Sequence, residues 1–89
     1  MNNQLEVEAL ETLINAVQQY REELETNKVI LVNAANLCDK AMGSDAISQK
    51  HIAALNSAVT ELEKTLQIVE KVAEALKDDL HKAKEVMDD

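Results

Sequence analysis

The chain has 89 residues with one Gly, no Pro and a single aromatic side chain, Tyr20, and its 17 acids against 9 bases give a formal net charge of −8. That surface repels phosphate backbones and anionic headgroups, so neither nucleic acid nor a membrane surface is an expected partner. One aromatic cannot wall a ligand pocket, and one cysteine cannot close an internal disulfide.

The opening stretch, MNNQLEVEALE, has no basic start and no continuous apolar run, so no cleavable signal peptide is expected. The longest apolar run, Val29 to Val32, falls far short of the roughly 20 residues of a membrane span. The expected location is therefore the cytoplasm, without membrane insertion. Leu, Ala, Glu and Lys dominate and breakers are absent, a composition of long helices.

The first helix is predicted over residues 4–41. Its apolar seam reads Leu10, Leu13, Val17, Tyr20, Leu24, Asn27, Leu31, Ala34, Cys38 and Ala41, spaced alternately three and four apart. That heptad spacing is the period that winds helices together. Asn27 is the one polar member, and two readings stand: it is tolerated where the packing is loose, or it sets register or partner choice.

The pattern breaks at residues 42–45. Gly43 suits the position after a helix end, where the backbone turns left-handed, and Ser44 or Asp45 can cap the next helix. A second helix is predicted over 45–87, with a seam at Ile52, Leu55, Val59, Leu62, Leu66, Val69, Ala73, Leu76, Leu80, Ala83 and Met87. Folding at Gly43 brings together residues whose numbers add to about 86–90, so seam meets seam. The expected fold is all-α: a single domain over 1–89, an antiparallel two-helix hairpin resembling a coiled coil.

Apolar residues spill beyond the seam. Ala9, Ala16, Ile30 and Leu37 flank it on one side of the first helix and Ile14, Ala35 and Met42 on the other; Ala58, Val72 and Val86 flank it on the second helix. Val29, Val32 and Ile68 lie farther round. A face this wide is that of a bundle helix, not of an isolated pair. Ile14, Val29, Ile30, Val32, Leu37, Met42, Ile68, Val72 and Val86 are therefore the candidate partner-binding residues, completing a four-helix bundle with a second copy or another helical protein. The competing reading is scattered surface aliphatics, which are common.

Catalysis has little to build on. The hairpin register brings Cys38 and His51 to neighbouring levels near the turn, with Asp39 and Asp45 close by. A thiolate–imidazole pair or metal site needs an orienting group or further ligands. A Cys on a seam is more commonly a small buried hydrophobe, and His51 a solvated helix residue. No catalytic residue, metal ligand or cofactor is expected.

At the level of the hairpin the chain resembles the WXG-type small helical proteins of bacterial type VII secretion, and especially the partner proteins encoded beside LXG toxins. The turn tripeptide aligns as Ala41-Met42-Gly43, keeping the Gly of the Trp-x-Gly turn and placing Ala where the family has Trp. The family's C-terminal Tyr-x-x-x-Asp/Glu motif has its best counterpart in His81-Lys82-Ala83-Lys84-Glu85. The resemblance implies a non-catalytic interaction module that binds a helical partner, such as an LXG toxin's N-terminal domain, for its stabilisation or export. It also implies secretion without a cleavable signal, with His81 and Glu85 as the export motif. The plainer reading of those two is a surface pair one helical turn apart. The alternative function is a cytoplasmic coiled-coil regulatory or chaperone-like subunit unconnected with secretion.

Overall fold

The computed structural model describes residues 3–42 and 45–88 of the chain. It contains α1 (Asn3–Met42) and α2 (Ala46–Asp88), which pack against each other, and no strand among the described residues. The β-branched run at Val29–Val32 stays helical because its neighbours supply an unbroken helical period and no Gly or Pro interrupts it. The threonines satisfy their hydroxyls within the helix: Thr12, Thr60 and Thr65 each donate to the carbonyl one turn back, at 2.9, 3.1 and 3.1 Å.

Gly43 and Ser44 lie outside the described residues. Of the two expected capping residues, Asp45 is seen to cap α2. Its carboxylate accepts the Ser48 N–H at 2.7 Å and its carbonyl accepts the Gln49 N–H at 3.0 Å, the geometry that satisfies free amides at a helix start. These bonds from Ser48, backbone first and then hydroxyl, hold the Asp45 carboxyl below its ordinary pKa of 3.8. Ser48 itself is fully buried.

Packing within the chain forms two compact units. A terminal unit joins residues up to Glu22 with those from Gln67 onward, and a turn unit runs from Glu23 to Leu66. The buried apolar residues of the terminal unit are Val7, Val69 and Ala83; those of the turn unit are Leu24, Ala35 and Leu66. On α2 the expected seam holds throughout: every member from Ile52 to Ala83 is buried or half-buried. The Met87 side chain lies outside the described residues.

On α1 the seam is rotated from the expected one. Leu10, Val17, Leu24, Leu31 and Cys38 face inward as expected, but their alternating partners are Val7, Ile14, Arg21, Lys28 and Ala35. Leu13 and Tyr20 are 50% and 48% exposed, Asn27 and Ala41 are exposed, and Ala34 alone of that column stays half-buried. Both earlier readings of Asn27 as an intramolecular core residue are thereby corrected. The physical reason lies in what each column must bury. The expected column begins with Glu6 and carries Asn27, whose amide has no partner in a two-helix seam. The observed column begins with Val7 and Ile14, and its charged members snorkel, burying apolar stems while their heads stay in water. Arg21 reaches Glu70 at 3.2 Å in the terminal unit and Lys28 reaches Glu63 at 3.4 Å in the turn unit. The numbers in both pairs add to 91, one beyond the expected register.

Candidate functional site

The rotated seam decides which side chains are left over. In the terminal unit, a shallow groove on one flank is lined by Glu6 of α1 with Asp79, Lys82 and Val86 of α2. A groove on the other flank is lined by Gln18 and Arg21 with Ala73 and Lys77. Each flank thus takes equivalent helical positions from both helices, as an antiparallel pair requires.

The flank bearing Glu6 and Val86 is mostly apolar. On α1 it carries Ala9, Leu13, Ala16 and Tyr20, and on α2 Ile68, Val72 and Ala75, all exposed. In the turn unit the same helical positions hold Ile30, Ala34, Leu37 and Ala41 on α1, with Ile47, His51, Ala54 and Ala58 on α2. Leu37, at 67% exposed, and Ile47, at 66%, stand almost free of their own chain. The opposite flank is polar. It carries Glu8, Glu11 and Glu22 with Glu70 and Glu74 in the terminal unit, and Glu25, Asp39 and Glu63 in the turn unit. Of the seven acids of α1, five lie on this polar side, leaving Glu6 and Glu23 on the apolar one.

The expected partner-binding residues divide accordingly. Ile30, Leu37, Ile68, Val72 and Val86 lie on the apolar flank. Val29 and Val32 are exposed on the polar side, and Ile14 is half-buried in the seam. The Met42 side chain lies outside the described residues. Sequence reasoning missed Leu13, Tyr20 and Ile47 as outward residues. The signal was present as a second heptad stripe on α1, running 9, 13, 16, 20, 23, 27, 30, 34, 37 and 41. A helix with two such stripes is built to touch two neighbours.

The surface area agrees. The accessible surface of 6545 Å² exceeds by a quarter the about 5,200 Å² expected of a folded monomer of 9.9 kDa. The excess, on the order of 1,300 Å², is larger than the about 800 Å² each partner contributes to a standard interface.

Near the turn, Cys38 is half-buried on the seam and His51 is exposed. Among the described residues, no group of three or more His, Cys, Asp or Glu is arranged to hold a metal ion. No helix among them is long and apolar enough to cross a membrane. On α2, His81 Nε2 lies 3.0 Å from Glu85 Oε1, and the two side chains are 74% and 64% exposed. Comparison with protein-family models, with curated proteins and with solved structures gives no match to this chain.

Proposed function

We propose that this protein is a non-catalytic interaction module whose apolar flanks receive other helices, completing a four-helix bundle with a second copy or a helical partner. The observation that carries this reading is the exposed apolar stripe of α1 with Ile47, Ile68, Val72 and Val86 of α2. A single pair of helices leaves such a stripe in water, and contiguous apolar patches of that kind mark binding surfaces.

The hairpin resemblance carries the proposal a step further, to a type VII secretion-associated partner of an LXG toxin's N-terminal domain. The partner would be stabilised or delivered by docking, and the exposed His81 and Glu85 are left accessible to the export machinery. A second reading is favoured by Ala41 and His81, which stand where that family has its hallmark Trp and Tyr. On that reading the protein is a cytoplasmic coiled-coil regulatory or chaperone-like subunit that uses the same flank.

Co-expression with an LXG toxin's N-terminal helical domain tests the first reading. Wild-type chain should co-purify with the domain, Ile68→Glu should lose it, and Val29→Glu, on the polar side, should keep it. Equal losses from both variants would refute the assignment of the flank. Failure of the wild type to bind would leave the regulatory reading as the better one.

A further inference from the structure

We propose that the apolar stripe of α1 docks antiparallel on the same stripe of a second copy, the terminal-unit patch of one chain against the turn-unit patch of the other. This rests on the docking reading above and commits it to one occupant. The argument is self-complementarity. From the terminal unit the stripe reads Ala9, Leu13, Ala16, Tyr20; read backwards through the turn unit it is Ala41, Leu37, Ala34, Ile30. The spacings are the same, four, three and four. In an antiparallel pairing Ala9 faces Ala41, Leu13 faces Leu37, Ala16 faces Ala34 and Tyr20 faces Ile30 of the second copy. Small layers alternate with large ones, so the helices approach closely and the bulky side chains fill the space above the neighbouring alanines. Two-fold symmetry supplies every contact twice.

The polar residues select the register. In this alignment the two remaining members of the stripe, Glu23 and Asn27, face each other, and an Asn amide donates to a carboxylate. Sliding the pairing by a heptad sets Glu23 against Ala34 or Tyr20, leaving a carboxylate without that partner. A parallel pairing sets Glu23 against Glu23 and Asn27 against Asn27. Glu23 is the only charge on the stripe from Ala9 to Ala41, so the net charge of −8 does not oppose this contact locally. The excess surface is also ample for a dimer interface.

Sedimentation equilibrium on the full chain tests the pairing. Wild type is expected to dimerise reversibly. Leu13→Glu alone and Leu37→Lys alone each place a charge against leucine. Each should weaken dimerisation at least about thirtyfold, as loss of an apolar anchor does, with helical circular dichroism retained because both leucines are exposed in the monomer. Mixing the two variants pairs Glu with Lys at one contact and Leu with Leu at the other, and should restore the dimer. In a Cys38→Ser background, mild oxidation of Ala16→Cys mixed with Ala34→Cys should yield the mixed disulfide in preference to either self-pair. A mixture that stays monomeric, or Ala16→Cys cross-linking to itself as readily, overturns this register. A wild type that is monomeric at every concentration yet still binds a helical partner in an Ile68-dependent way overturns self-pairing and leaves the proposed function standing.

Discussion

Truncating Leu24 to Ala is the sharpest test of the inner seam. Leu24 is only 6% exposed, so almost its whole side chain leaves water on folding, which is worth about 1.5–3 kcal/mol before any cavity term. By the register of the ion pairs, its level on α2 is that of Leu66, buried, and Leu62, half-buried. A two-helix layer closes partly around a lost side chain, which places the cost in the lower half of the range for buried Leu→Ala, about 2–3 kcal/mol. A chain of this length has about 5 kcal/mol of stability at the low end of the usual range, so this change removes about half of it. The melting midpoint should fall by about 10–20 °C. The control is Val29→Ala, because Val29 is 58% exposed on the polar side and Ala favours helix; its change should stay within about 0.5 kcal/mol. Urea unfolding followed by circular dichroism, at one fixed protein concentration, measures both. Equal effects from the two variants, or a Leu24→Ala protein indistinguishable from wild type, would refute the assigned seam.

The remaining predictions concern the edges of the hairpin. Reversing Arg21 to Glu sets it against Glu70 and should destabilise modestly; adding Glu70→Arg should recover most of the loss. A coupling energy of about 0.2–1 kcal/mol that shrinks in high salt is expected of a pair this exposed, and a double-mutant cycle reads it. For Asp45, the folded pKa lies below 3.8, so its contribution is present above pH 3.8 and is lost as pH falls through the lower folded value. Denaturant midpoints across that acid range should show Asp45→Asn removing this part of the pH dependence, and an unchanged profile would contradict the cap. His81→Ala and Glu85→Ala should alter stability by less than about 0.5 kcal/mol, since both side chains are largely solvated. Export of the protein or its partner should nevertheless fall in a secretion assay; normal export in both strains would reduce the pair to a surface contact.

The two helices were legible because the chain contains one breaker, and the α2 seam was legible because its apolar column has no rival. On α1 two columns competed. Counting apolar residues favoured Leu13, Tyr20, Ala34 and Ala41 over a column containing Arg21 and Lys28. That count ignores the reach of long side chains, whose stems cover a seam while their charges find Glu70 and Glu63 across it. Partners of this kind are set by cross-helix register and are invisible to the periodicity of one helix. Once the seam is placed, the leftover column ceases to be a core and becomes an outward stripe, so the binding flank could not be separated from the core by pattern alone. Asp45 was legible as a cap because capping depends on a short local spacing.

The central claim is that the apolar flank is a binding surface completed by other helices. Sedimentation velocity of the wild-type chain across a wide concentration range, alone and with the LXG-type helical domain, tests it most directly. The account predicts a species larger than the 9.9 kDa chain in at least one of the two conditions, with thermal stability rising as that species forms. A single species of 9.9 kDa in both conditions, with a concentration-independent melting midpoint, would contradict it.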